Sequence, residues 1–140
     1  MWNDNNMQGY GVYTYNDGNV YEGMFNDDKK EGYGKYHWKD GRRYEGWWHR
    51  GRQHGLGIFE QPDKKSMKFG LWENGRRVKW FDQEEVELIR QNRFDYNTSF
   101  KEEKSALLIK SGATFKPPKG FDEEVRRVKM QKVHPVDIQF

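Results

Sequence analysis

Through its first half the chain alternates aromatic or glycine positions with polar ones, at the two-residue period of a strand. In Tyr21-Glu22-Gly23-Met24-Phe25 this places Tyr21, Gly23 and Phe25 on one face. In the run from Gly32 to Trp38 it places Gly32, Gly34, Tyr36 and Trp38 together. The pattern then returns whole. Tyr21-Glu22-Gly23 recurs 23 residues on as Tyr44-Glu45-Gly46, and Gly9-Tyr10-Gly11 recurs at the same interval as Gly32-Tyr33-Gly34 and Gly55-Leu56-Gly57. A fixed period of this size marks a stack of copies of one small unit, which presents a surface more readily than it builds a catalytic cleft.

Each unit reads as a β-hairpin. Asp17-Gly18 and Asp40-Gly41 sit between strand patterns and suit turns with positive φ, whereas the stretches Asn26 to Lys30 and His49 to Arg52 read as longer, polar turns. The third unit departs from the period, because Gly46 and Gly70 are 24 residues apart and Pro62-Asp63-Lys64-Lys65 replaces the Asp-Gly turn. Bare glycines on the same face as large rings predict that each ring lies flat across the backbone of a neighbouring strand.

After Glu73-Asn74-Gly75-Arg76-Arg77 the strand period stops. Asp82-Gln83-Glu84-Glu85 predicts a capped helix start leading into Val86, Ile89 and Arg93 along one side. Ser99-Phe100-Lys101-Glu102 predicts a second helix, carrying Leu107 and Leu108 and closed at Ser111-Gly112. Lys116-Pro117-Pro118 breaks the pattern, and Asp122-Glu123-Glu124 opens a third with Val125, Val128 and Lys132, ended by His134-Pro135. Such helices are too short to stand alone. The first is expected to cap the open edge of the sheet, and the tail from Ala113 onward is expected to be an extended arm that orders on a partner.

The recurring Tyr-Glu-Gly-x-aromatic, polar turn, Gly-x-Gly-x-aromatic and Asp-Gly positions resemble the MORN repeat (membrane occupation and recognition nexus) from residue 1 to about residue 75. The resemblance implies an elongated, twisted single antiparallel sheet of stacked β-hairpins. It also implies roles in protein–protein scaffolding, in cilia and membrane-associated cytoskeleton, and in phosphoinositide binding. With the helix signals added, the expected fold is mainly β: residues 1–80 as about three and a half repeats, the first truncated, then 81–140 as a short α-helical and extended C-terminal tail. Met1-Trp2 aligns with Met24-Phe25 and Trp47-Trp48, so the first unit lacks its Tyr-Glu-Gly. That is expected of a piece of a longer array, or of an atypical terminal repeat.

Composition sharpens this picture. A chain with 34% hydrophobic and 34% charged residues would verge on disorder, but 16% aromatic residues supply a thin core spread along the array. The absence of cysteine removes disulfides, thiolate metal sites and cysteine nucleophiles. No apolar run approaches the roughly 20 residues of a membrane span and no signal-peptide pattern opens the chain, so a soluble, cytoplasmic protein is expected. The net charge of +3 comes from residues 1–81, with 14 Lys and Arg against 11 Asp and Glu; residues 82–140 hold 11 of each. That excess is too weak to imply nucleic acid.

Candidate chemistry is sparse. His37, His49, His54 and His134 lack ligand spacing, and Glu22 and Glu45 recur with the repeat, which fits bonds to neighbouring hairpins better than an acid–base pair. The Gly-x-Gly runs lack the strand-to-helix context and the Lys-Ser/Thr of a phosphate loop. No catalytic residue, metal or cofactor is expected. Two surfaces remain. Tyr13, Tyr15, Phe25, Tyr36, Trp38, Trp48 and Phe59 predict a shallow groove that accepts a helix or an extended, Pro-containing strand of another protein. Lys29, Lys30, Arg50, Arg52, Arg76 and Arg77 fall in turns and predict a row for an acidic membrane surface at ~1 kcal/mol per charge. Asp27, Asp28 and Glu31 weaken that row. The expected function is a non-catalytic scaffold or adaptor in a multi-subunit assembly of the cytoskeleton, cilium or axoneme. The alternatives are a peripheral membrane module for acidic phosphoinositides and the regulatory repeat region of a lipid kinase.

Overall fold

The computed structural model describes residues 2–3, 6–63, 65–91, 93–94 and 115–131. Strands β1 (Trp2–Asn3) and β2 (Asn6–Met7) form a short hairpin. Seven further strands form one antiparallel sheet: β3 (Gly9–Thr14), β4 (Val20–Asn26), β5 (Lys29–His37), β6 (Arg43–His49), β7 (Arg52–Glu60), β8 (Met67–Glu73) and β9 (Arg76–Phe81). Each strand pairs with the next in sequence, the order that short turns between alternating strands impose. The fold is therefore mainly β, as expected, with helices α1 (Gln83–Arg90) and α2 (Phe121–Gln131) after the sheet.

The turns correct the sequence reading. The tight ones are Asp27-Asp28, Arg50-Gly51 and Asn74-Gly75, two-residue loops in which both residues have positive φ, which matches the right-handed twist of the flanking strands. The Asp-Gly turns are the wider ones. At these, Gly18 and Gly41 alone take positive φ, and the Asp17 and Asp40 carboxylates accept the backbone N–H of Asn19 and Arg42, both at 3.0 Å. Successive tight turns stack by backbone bonds: Asp28 donates to the Met7 carbonyl, Gly51 to that of Lys30 and Gly75 to that of Gln53. Asp28 Oδ1 also accepts the Met7 N–H at 2.6 Å, which ties the short hairpin to the main sheet.

The two glycines of each Gly-x-Gly run do different jobs. In the tight-turn hairpins the register shifts between Gly23 and Phe25 and again between Gly46 and Trp48, and the opposing Gly32 (φ 90°) and Gly55 (φ 111°) absorb the extra residues. The second glycine lies under a ring. A Cβ on Gly34 would sit 2.5 Å from Tyr21 Cζ, and one on Gly57 would sit 2.6 Å from Tyr44 Cζ. The predicted packing of ring over glycine is thus present, at the second glycine.

The helices supply the second layer on one face. Asp82 caps α1 by accepting the Glu85 N–H at 2.8 Å, and its own N–H donates to Glu85 Oε1 at 3.0 Å. Val86 and Ile89 then bury against Leu56, Leu71 and Phe81, together with Phe115. So α1 sits beside the edge strand β9, where the sequence placed it, and from there covers part of a face. The other end of the sheet belongs to α2, whose Phe121 meets Tyr10 and Tyr33 edge-on at 6.0 and 5.0 Å while Val128 buries with them. Glu124 lies beside the outer strand β3, its Oε1 3.5 Å from where a Cβ on Gly9 would sit, and its Arg127 partner holds its carboxyl below the usual range. The helix expected from Asp122 with Val125 and Val128 is thus present, and its packing on the sheet corrects the expectation of an extended arm from Ala113 onward. The helix predicted from Ser99, and the end predicted at Lys132 and His134-Pro135, lie outside the described residues.

Candidate interaction face

Alternation gives the sheet two unlike faces. Tyr10, Met24, Tyr33, Trp47, Leu56, Ile58, Phe69 and Leu71 point to the helices. The opposite face carries the rings, in two rows. The inner row runs Phe25, Tyr21, Trp48, Tyr44, Trp72 and Trp80, with successive centroids 5.0, 5.4, 5.2, 4.9 and 5.6 Å apart and every contact edge-to-face. Such contacts contribute about 0.5–1.5 kcal/mol each beyond burial. Tyr21 and Tyr44 are fully buried, and their hydroxyls donate to the carbonyls of Met24 (2.8 Å) and Trp47 (3.0 Å). Burial pushes both phenols far above the ordinary tyrosine range.

The outer row runs Tyr13, Tyr15, Tyr36, Trp38 and Phe59, with centroids 4.8, 5.9, 4.7 and 5.9 Å apart. Tyr13 is 50% exposed and the other four are half-buried. The predicted groove residues therefore divide. Tyr13, Tyr15, Tyr36, Trp38 and Phe59 line the open surface, whereas Phe25 and Trp48 are buried and form its floor. Tyr21, which alternation placed beside Phe25, belongs to the same face with Tyr44, Trp72 and Trp80, and all four were left out of the predicted groove; Trp72 was legible as the recurrence of Trp48 after the inserted residue.

Among the described residues, recesses open at both ends of this face. One, of about 530 Å³, is lined by Met7, Tyr13, Tyr15, Phe25, Lys29 and Lys30, with Asp28 and Gly51 at its turn end. The other, of about 390 Å³, is lined by Trp38, Phe59, Trp72, Trp80, Gln53, Gln61, Lys68 and Arg77. A larger recess of about 730 Å³ lies where α1 leaves β9, between Phe69, Phe81, Val86 and Arg90, and it reaches the end of the inner row at Trp80 and Lys68.

The predicted basic row also divides. Lys29, Arg50, Arg52 and Arg76 are exposed at the tight-turn end. Lys30 and Arg77 instead turn onto the aromatic face. Lys30 Nζ lies 5.3 to 5.8 Å from the ring centroids of Tyr15, Tyr21, Tyr36 and Trp48, and burial pushes its ammonium below the ordinary lysine range. Arg77 stacks on Trp80 at 4.7 Å, Lys68 lies 5.4 Å from the same ring, and Arg42 lies 5.0 Å from Trp38.

Carboxylates go the other way. Among the described residues, the strand carboxylates Glu22, Glu31, Glu45, Glu60 and Glu73 all alternate onto the helix-covered face. There Glu22 meets His37 at 3.0 Å and accepts from Tyr10, Tyr33 donates to Glu45, Glu60 pairs with Arg43 at 2.8 Å, and Glu31 meets His49 at 2.9 Å. The recurring glutamates thus bond neighbouring hairpins, as expected. His54 accepts the Asn74 N–H at 3.1 Å, the position that Glu31 fills for Arg50 one repeat earlier. Among the described residues no cluster of His, Asp and Glu is placed to hold a metal ion, and no helix is long and apolar enough to cross a membrane.

A single sheet of stacked hairpins, with helices on one face and rings on the other, defines a hairpin-repeat module that works through its surface. Residues 1–20, 21–42 and 44–65 match the model of the MORN repeat family, so residues 1–65 are three MORN repeats. Repeats of this family typically mediate protein or membrane interactions and are generally non-catalytic. No curated protein matches the chain.

Proposed function

We propose that this chain is a non-catalytic scaffold or adaptor whose aromatic face binds a segment of another protein in a cytoskeletal or ciliary assembly. One observation carries the reading: both described helices pack on the opposite face, so that the outer rings stay half-exposed in a row across the sheet. Aromatic side chains on a rigid sheet make strong anchors because few rotamers are lost on binding. Replacing Tyr36 and Trp38 together by Ala is expected to abolish recovery of bound partners from a cytoskeletal extract while the chain stays folded by circular dichroism. Unchanged recovery would sink the proposal.

The exposed Lys29, Arg50, Arg52 and Arg76 at the stacked turns favour acidic lipid as a second reading. It requires sedimentation with phosphoinositide vesicles at low salt, lost when salt is raised.

A further inference from the structure

The two faces differ in charge as sharply as in shape. On the helix-covered face, cations meet carboxylates: Arg43 with Glu60, Lys79 with Glu85, His37 with Glu22. On the aromatic face the charged strand side chains are Lys30, Lys68 and Arg77, and among the described residues none of these forms an ion pair with a carboxylate. Each rests instead on rings. A ring attracts a cation only weakly and leaves its N–H donors unused, so a ring-held cation at an open recess remains a site for an anion.

Lys30 and Arg77 are equivalent positions in their repeats, opposite Phe25 and Trp72, with Gln53 opposite Trp48 between them. Lys30 lines the first recess, and Arg77 and Lys68 line the second. β5 and β9 are four strands apart, which at a strand spacing of about 4.8 Å separates the two sites by about 19 Å. An extended chain covers that distance in about six residues.

We infer that the occupant of the aromatic face is an extended acidic peptide, crossing the strands with one carboxylate at Lys68 and Arg77, an apolar or proline side chain among Trp38, Phe59 and Trp80, and a second carboxylate near Lys30. This rests on the protein-binding reading above and adds its charge and spacing. The protein supplies electrostatic selection, and segments rich in Lys or Arg are rejected by like charge.

The test selects a random peptide library displayed on phage against the immobilised full chain. The expected pool is enriched in Asp and Glu around an aromatic or proline residue, with acidic positions about six residues apart. Its binding should fall about tenfold on the exposed double variant Lys68→Glu/Arg77→Glu and less on Lys68→Gln/Arg77→Gln. A neutral or basic pool that needs Trp38 and Trp80 would overturn the charge inference and leave the protein-binding face standing. A pool indifferent to Trp38→Ala/Trp80→Ala, or no enrichment at all, would overturn both. If phosphatidylserine vesicles bind the chain through Lys68 and Arg77 while no peptide is enriched, the occupant is lipid and the inference fails.

Discussion

At the scale of single residues, the recurring Tyr and the second glycine of Gly-x-Gly are one device. The ring of Tyr21 occupies the space a side chain on Gly34 would need, and its hydroxyl is spent on the Met24 carbonyl. Gly34→Ala therefore forces a buried ring to move and should cost about 1–3 kcal/mol. Gly32 differs, because its φ of 90° demands glycine while the nearest atom to a Cβ there, Met24 Cβ, is 3.5 Å away. Asn tolerates positive φ better than Ala, so Gly32→Asn should be milder than Gly32→Ala, whereas Gly34→Asn should be worse than Gly34→Ala. Denaturant midpoints of the four variants check this; the same order at both positions would contradict the division of labour. Both glycines were visible in the sequence as a motif. Their separate reasons were not, because the bulge comes from strand pairing.

At the scale of elements, the hairpins were legible and the helices only half so. Period-2 alternation and the 23-residue recurrence identify the strands, and Asp82 with Glu85 identifies the start of α1. Where a helix docks depends on the apolar set it finds. The face bearing Tyr10, Tyr33, Leu56 and Leu71 was overlooked because the rings drew attention to the other side. That docking has a pH signature. Burial, then the Glu22 carboxylate, pushes the Tyr10 phenol from 10.0 up to about 12. Tyr33 is raised beyond that by burial and by Glu45. Both phenols are neutral in the folded state, so the stabilisation is complete below pH 10 and is lost as pH climbs through 12. Urea midpoints should hold between pH 8 and 10 and then fall, with a shallower fall in Tyr10→Phe. A flat profile to pH 12 would show that these phenols are not held neutral.

At the scale of the whole molecule, the sheet sorts its chemistry by face: rings and ring-held cations on one, paired charges and helices on the other. The sequence contained this sorting, since the strand glutamates Glu22, Glu45, Glu60 and Glu73 are each out of phase with the adjacent open-face rings Tyr21, Tyr44, Phe59 and Trp72. Reading the bases by their place in turns concealed it, because Lys30 and Arg77 sit beside turns but point across the sheet. The claim that the aromatic face is the binding surface can be tested within one spectrum. Trp47 and Trp48 are adjacent yet point to opposite faces, and Trp38 and Trp80 share the ring side with Trp48. In a nuclear magnetic resonance titration of the full chain with the selected peptide, the indole N–H signals of Trp38 and Trp80 should shift while that of Trp47 stays in place. A shift at Trp47 with Trp38 and Trp80 unmoved would put the binding surface on the helix side and contradict the account.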